Sequence, residues 1–393
     1  MANVIALLTL AVVYYIGEFV GTKTKAWVPS VFVTAVLFLI GYWTIFPADI
    51  VDQAGLGAPF GGTIVIMLCL THMGTIISIR QLLKQWKVVL IALLGLVGMI
   101  ILVWFIVRPF VGREYVVAGL PPLTGGIVAA IMMNEAALEL GLTTAATLAI
   151  AMYSIQGFVG YPLTAVFLKM EGRTLLKEYR SGELSEAAGS ADIFSTSEAE
   201  TKKLIPKLPD KYITTALILA KMMISALIAQ KLASVIPINA AIWALLVAIV
   251  LTEIGFLDKD SLNVANSYGF LMFVLMIFIF AGLKDTTPEI LAAAIGPMAI
   301  IIVVGVIGLC LASAIAGKVL GMRWNMACAV SLTALYGFPP NYVLTMESIK
   351  ALTDDEAERQ YLIDRMIPQM IVGGFTTVTI ASVFIASIFV GLF

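Results

Sequence analysis

Apolar residues gather in runs of roughly 18 or more, the length a helix needs to cross ~30 Å of hydrocarbon. They fall near 2–21, 28–46, 59–79, 87–107, 143–169, 212–230, 236–255, 265–283, 290–316 and 366–392. Two further apolar stretches, 115–138 and 324–346, are interrupted by glycine and proline. The short alternating segments of a β-barrel are not there. The pattern predicts an all-α polytopic membrane protein. One polar segment of 41 residues, Glu171 to Lys211, divides the chain. Its Ser181-Gly182-Glu183-Leu184-Ser185-Glu186 portion has little periodicity and reads as a flexible linker or, alternatively, a regulatory segment.

The halves on either side of that segment repeat one another at an offset of about 208 to 213 residues. Val28-Pro29 falls on Ile236-Pro237, and Gly74 on Gly282. Gly112, Ala118, Leu123 and Thr124 fall on Gly321, Ala327, Leu332 and Thr333. Gln156-Gly157-Phe158-Val159-Gly160 lies against Gln369-Met370-Ile371-Val372-Gly373. A duplication on this scale in so apolar a chain is the signature of a transporter built from two structural repeats, 1–170 and 212–393.

Composition sharpens the picture. The chain is 61% hydrophobic and 12% charged, which leaves too little polar surface for water to be its solvent. A net charge of −1 without a basic, aromatic-interleaved patch gives no reason to expect nucleic acid. Cys69, Cys310 and Cys328 are scattered through apolar stretches without metal-binding spacing and read as buried thiols. The opening Met1-Ala2-Asn3-Val4 has no basic flank, so 2–21 is expected to be a retained helix.

Charge then chooses the topology. If 115–138 and 324–346 are re-entrant hairpins, each half crosses the membrane five times and the halves are inverted. With the N-terminus outside, nineteen of the 24 Lys and Arg face the cytoplasm, among them Lys25, Arg80, Lys84, Arg173, Lys177, Arg180, Lys202, Lys203, Lys207, Lys211 and Arg323. Arg108, Arg113, Lys231 and Lys284 face outside, and Lys221 lies within a span. Full crossings would put the most basic loop on the outer side, so the positive-inside rule favours two inverted repeats of five transmembrane helices plus one re-entrant hairpin each.

Candidate chemistry sits in the interrupted stretches. The first reads Leu120-Pro121-Pro122-Leu123-Thr124-Gly125-Gly126 and continues to Met133-Asn134-Glu135. The second reads Thr333-Ala334-Leu335-Tyr336-Gly337-Phe338-Pro339-Pro340-Asn341-Tyr342, then Met346-Glu347. Paired prolines remove backbone donors and glycines permit unwound chain, both costly in lipid unless the freed groups meet protein, water or ligand. Unwound carbonyls suit Na⁺, half-helix N-termini suit a carboxylate, and Thr and Asn add neutral oxygens. Inverted topology brings the tips together near the midplane. The expected site is Thr124, Gly125, Gly126, Asn134 and Glu135 with Thr333, Tyr336, Gly337, Phe338 and Asn341, with Na⁺ near Thr124, Gly126, Thr333 and Gly337. The repeat-related Gln156 and Gln369 either cap the site or act as interhelical hydrogen-bonding glue. Kinks in packed helices are the plainer alternative for each break taken singly. His72 reads as a structural hydrogen-bonder before a proton carrier, and Lys221 as a scaffold residue that snorkels or pairs with an acid. Glu18 and Glu253 read as interfacial.

At these residues the chain resembles the bacterial sodium/glutamate symporter family, and more distantly the 2-hydroxycarboxylate transporters. The likeness rests on Ala281-Gly282-Leu283-Lys284, Thr124-Gly125-Gly126, Tyr336-Gly337-Phe338 and the stretch around Ile367-Pro368 and Val372-Gly373-Gly374-Phe375. The resemblance implies ten spans with two re-entrant hairpins, a homodimer in a bacterial plasma (inner) membrane, Na⁺ as coupling ion and a small anionic substrate. It also implies an elevator, with scaffold and dimer contact from 2–46 and 212–255 and a transport domain from 59–169 and 265–392. Pro339-Pro340 and the aromatics Tyr336, Phe338 and Tyr342 depart from the family pattern and point to a larger or more apolar substrate or to different ion coupling. The alternative of the same fold is a cation/proton antiporter or proton-coupled exporter, which would want mid-membrane carboxylates. An intramembrane enzyme is disfavoured, since the chain has no HExxH, no GxGD pair and no credible Ser/His dyad.

Overall fold

The computed structural model describes residues 1–76, 85–181, 204–206, 208, 209, 212–236 and 240–393. Residues 77–79 of the third apolar stretch, Arg80, Lys84, Lys202, Lys203, Lys207, Lys211, Pro237 and segment 182–203 of the expected linker lie outside the described residues.

Helices account for every element among the described residues, without strands. In chain order those of more than one turn are α1 (Ala2–Lys23), α2 (Ser30–Thr44), α3 (Phe60–Ile76), α4 (Trp86–Val111), α5 (Arg113–Leu123), α6 (Ile127–Glu139) and α7 (Thr143–Ser181). There follow α8 (Thr215–Val235), α9 (Ala240–Glu253), α10 (Tyr268–Ala281), α11 (Pro288–Leu320), α12 (Trp324–Leu335), α13 (Pro340–Lys350) and α14 (Glu356–Val390). Among the described residues seven helices are long and apolar enough to cross a membrane, which marks a multi-pass membrane protein. α2, α3 and α9 are apolar but shorter.

The polar segment does not begin where the sequence places it. α7 runs on through Glu171 to Ser181. Three ion pairs hold this extension: Arg323 donates to Glu171 at 2.7 Å and to Glu178 at 2.8 Å, and Arg180 grips Glu358 through two bonds of 2.6 and 2.7 Å. These partners are more than 140 residues away in sequence, so local periodicity carries no sign of them.

The described chain forms two compact units. One comprises Met1–Tyr14, Pro47–Lys84 and Ala191–Ala281; the other comprises Tyr15–Phe46, Gln85–Ser190 and Gly282–Phe393. The cuts do not coincide with the expected scaffold and transport parts: Tyr15–Phe46 falls in the second unit, while 59–76 and 265–281 fall in the first.

In the first unit α3 packs on α8, α9 and α10. At Gly74 a Cβ would come within 2.5 Å of the Ala248 Cβ and 2.6 Å of the Leu245 carbonyl, so the small residue lets two apolar helices approach closely. His72 is fully buried here: its Nδ1 accepts from the Leu262 amide at 3.2 Å, and its Nε2 lies 3.6 Å from Asp260. The Thr75 hydroxyl accepts from the Ser261 amide, so both side chains cap the one-turn helix Ser261–Val264. Burial pushes the Asp260 carboxyl up, with the Asn263 hydrogen bond pulling the other way. Lys221 pairs with Asp258 at 3.4 Å, so of snorkelling and pairing with an acid the structure shows the pairing.

The second unit holds a continuous apolar core, from Leu96, Met99 and Val103 on α4 through Leu120, Met133, Leu148 and Met152 to Ile301, Leu309 and Leu332. Around it pack α4 with α11, and α7 with α5, α6 and α12. Both interrupted stretches lie in this unit as pairs of short helices, α5/α6 and α12/α13. With 11 and 13 residues, α5 and α6 are about 16 and 20 Å long, too short to cross singly. Gly112 (φ 101°) and Gly321 (φ 80°), matched at an offset of 209, each turn the chain from a long apolar helix into the first arm of a pair.

Candidate functional site

The first break follows from its sequence. Pro121 and Pro122 close the last turn of α5, the Thr124 and Gly125 amides bond back to their carbonyls, and Gly125 and Gly126, both at φ 96°, reverse the chain. The second break uses the same residues in the opposite order. α12 tightens into a 3₁₀ turn at Thr333–Leu335, Gly337 takes φ 66°, and Pro339 and Pro340 then open α13, where a proline costs no hydrogen bond.

The two tips meet on α14. A Cβ on Gly125 would lie 2.4 Å from the Ala334 carbonyl of the other tip and 2.7 Å from Val378 Cγ2. One on Gly126 would lie 2.7 Å from the Val378 carbonyl and 2.8 Å from Ser382 Oγ; one on Gly337 would lie 2.8 Å from Val378 Cγ2. All three glycines thus close on Val378, within a π-helical turn at Thr376–Ala381. Such turns interrupt the regular hydrogen-bond ladder and recur at functional sites.

Neutral oxygens surround this meeting point. The buried Thr333 hydroxyl donates to the Val330 carbonyl at 2.5 Å and stands 3.5 Å from the Thr377 hydroxyl. Thr377 in turn lies 3.1 Å from the Gly373 carbonyl and 3.3 Å from that of Gly374. Thr124, also buried, turns its hydroxyl back to the Pro121 carbonyl at 2.7 Å.

Side chains of the second tip are tied on two sides. The Tyr336 hydroxyl donates to Thr164 at 2.9 Å and its ring lies 5.3 Å from that of Tyr161, both on α7. Phe338 stacks on Phe375 of α14 at 5.7 Å. Asn341, fully buried, donates to the Met370 carbonyl at 2.8 Å and accepts from the Tyr342 amide at 2.7 Å. Further along α13, Glu347 accepts from the Ser30 amide at 3.0 Å and hydroxyl at 2.7 Å, capping the N-terminus of α2.

Thr124, Gly125, Gly126, Thr333, Tyr336, Gly337, Phe338 and Asn341 therefore belong to the two tips or their first turns. Asn134 and Glu135 stand apart from them: Asn134 is about 12 Å along α6 from Gly126, donating to the Ala146 carbonyl at 2.9 Å, and Glu135 is exposed. Their proximity in sequence to the break is helix length, not convergence. Gln156 lies one turn before Gly160, where a Cβ would meet Tyr336 at 2.7 Å, and its buried Oε1 has no hydrogen-bond partner. Gln369 Oε1 is likewise unpartnered, beside the Met370 that receives Asn341. Sequence reasoning did not single out Thr377, Val378 or Ser382. The legible signal was Thr376-Thr377 following Gly373-Gly374 in an apolar span; the π turn itself has no sequence mark.

No protein-family model matches the chain, and no curated protein matches it.

Proposed function

We propose that this protein is a secondary active transporter, a Na⁺-coupled symporter of a small organic anion that works as an elevator. The observation that carries the reading is the closure of both broken hairpins on one π-helical turn of α14, around Val378, inside a single compact unit. A binding site made by both tips would move as one body with the helices that carry them, as alternating access by an elevator requires. Hydroxyls of Thr333 and Thr377 and carbonyls of Val330, Gly373 and Gly374 are the hard, neutral donors a Na⁺ ion takes. Gln156 and Gln369 carry unpartnered buried amide oxygens on α7 and α14, the two helices to which the second tip is fastened. Binding and movement are the whole chemistry of such a carrier; no bond is made or broken.

In this reading the two halves are inverted repeats of five spans and one re-entrant hairpin. The matched glycines at 112 and 321 and the short paired helices after each of them support it. Dimerisation through 2–46 and 212–255 and residence in a bacterial plasma membrane follow from the family resemblance and belong to the same proposal. The alternative, a cation/proton antiporter or proton-coupled exporter, needs a titrating carboxylate at the tips. Glu347 is engaged in capping α2 and Glu135 is exposed, so the groups at hand favour sodium.

The test is uptake by proteoliposomes across a panel of carboxylates and amino acids, with either a Na⁺ or a proton gradient. An anion accumulated only under an inward Na⁺ gradient, and not by the Gly126→Trp protein, is the expected result. Uptake driven by protons in Na⁺-free buffer would transfer the assignment to the proton-coupled class.

A further inference from the structure

A second polar feature lies away from the hairpin tips. Lys25, Arg173, Lys177 and Arg180 line an open groove of about 600 Å³, with Leu176 and Leu352 among its apolar walls. All six residues belong to the second compact unit. The groove lies where α1, α7 and α13 end, after Lys23, Ser181 and Lys350, and so at the level where headgroups flank a spanning bundle.

Arg173, Lys177 and Arg180 recur at helical spacing on one face of α7, where like charges repel unless an anion sits among them. Among the described residues no carboxylate lines the groove; of those nearby, Glu358 holds the Arg180 guanidinium through two bonds with Asp355 acting on it, and Glu347, near Lys169, is taken up by Ser30. Glu171 and Glu178, on the same helix, are taken by Arg323. Among the described residues Lys25, Arg173 and Lys177 have no carboxylate partner. The helix field does not account for them all, because it fades within the last turn and Arg173 is two turns back from Ser181.

Lys25 is held in place. It and Ala26 adopt left-handed backbone (φ 50° and 53°), and the Lys169 ammonium donates to the Lys25 carbonyl while lying 4.6 Å from the Trp27 ring. Trp27 is itself half exposed and also faces Arg173 at 5.8 Å, an amphipathic ring of the kind that marks the membrane interface.

We propose that this groove binds the phosphate headgroup of an anionic lipid from the surrounding bilayer. A guanidinium and two ammonium groups converge on a phosphodiester as donors of both charge and hydrogen bonds. The apolar Leu176 and Leu352 suit the glycerol and the start of the acyl chains, contacts a free phosphate ion has no use for. Basic pockets between spanning helices take acidic lipid headgroups for this reason.

The test uses the full chain in neutral detergent, titrated with phosphatidylglycerol or with phosphatidylcholine in mixed micelles and followed by thermal unfolding and native mass spectrometry. Phosphatidylglycerol is expected to bind and raise the unfolding temperature, and phosphatidylcholine to do neither. Each basic residue near an acidic headgroup contributes about five-fold in affinity, so Arg173→Gln with Lys177→Gln should weaken binding roughly 25-fold, while Lys318→Gln, outside the groove, should not change it. Should the double variant not fold, Lys25→Gln on the exposed turn replaces it, with about a five-fold loss expected. Unchanged binding by these variants, or equal binding of phosphatidylcholine, overturns the proposal. Inorganic phosphate binding as well as the lipid in the wild type, and lost in the variant, overturns the lipid source and assigns the groove to a soluble anion.

Discussion

The α5/α6 and α12/α13 pairs are built from the same residue types at matching places in the two halves, yet they are used differently. At the first tip, proline ends an arm and Gly125-Gly126 follow; at the second, Gly337 comes first and Pro339-Pro340 begin the next arm. The first tip therefore presents mainly main chain, pressed against Ala334 and Val378, and the α6 arm beyond it exposes Ile127, Val128 and Ile131. The second tip presents side chains, and its α12 arm is buried from Asn325 to Leu335. Tyr336, Phe338 and Asn341 fasten it to α7 and α14. A duplicated sequence gives two similar breaks, and the neighbours each break meets decide what it offers: backbone in one case, fixed polar and aromatic groups in the other.

The strongest way to break this comparison is at the glycines. Gly125→Val combines a positive φ that branched residues avoid with a clash into the Ala334 carbonyl, together about 2–5 kcal/mol of destabilisation and loss of any uptake. Gly296→Ala, with nothing within 4 Å of the new methyl, should leave both unchanged in a detergent thermal-unfolding assay. Equal effects of the two substitutions would mean that the tips do not meet.

The two asparagines sharpen it. Asn341→Ala removes two hydrogen bonds at a fully buried position and should cost about 1–3 kcal/mol, while Asn134→Ala removes one at a half-buried position and should cost about 1 kcal/mol or less. Comparable losses in denaturant or thermal titrations would erase the asymmetry between the pairs. The smallest effect belongs to Tyr336→Phe, which keeps the ring against Tyr161 and deletes the bond to Thr164, at about 1 kcal/mol or less. Read as an uptake assay, this variant is expected to alter substrate affinity more than maximal rate if the second tip supplies the side chains of the site.

Much of the architecture was legible along the chain. Each of the ten apolar runs holds a helix among its described residues, and the two Gly- and Pro-interrupted stretches became short paired helices, because runs of apolar side chains and missing backbone donors act locally. The convergence of Gly125, Gly126 and Gly337 was inferred from an inverted repeat, but their common neighbour Val378 was not. Asn134 and Glu135 looked like site residues because they follow the break closely, and the rise of a helix carries them away from it. The extension of α7 to Ser181 was invisible for another reason: Arg323 and Glu358, which hold it, lie far along the sequence.

By itself, then, the sequence determined that this protein lives in a membrane as helices and where those helices break, since transfer of apolar surface and the geometry of proline and glycine depend on the residue and its immediate neighbours. Only the tertiary structure decided which polar groups at the breaks are consumed by partners and which are left over. Thr124 satisfies itself within its own turn, Asn341 is consumed by Met370, and the Gln156 and Gln369 oxygens remain unpartnered. Hydrogen-bond satisfaction is a property of what is packed alongside, and packing joins residues that the chain keeps apart.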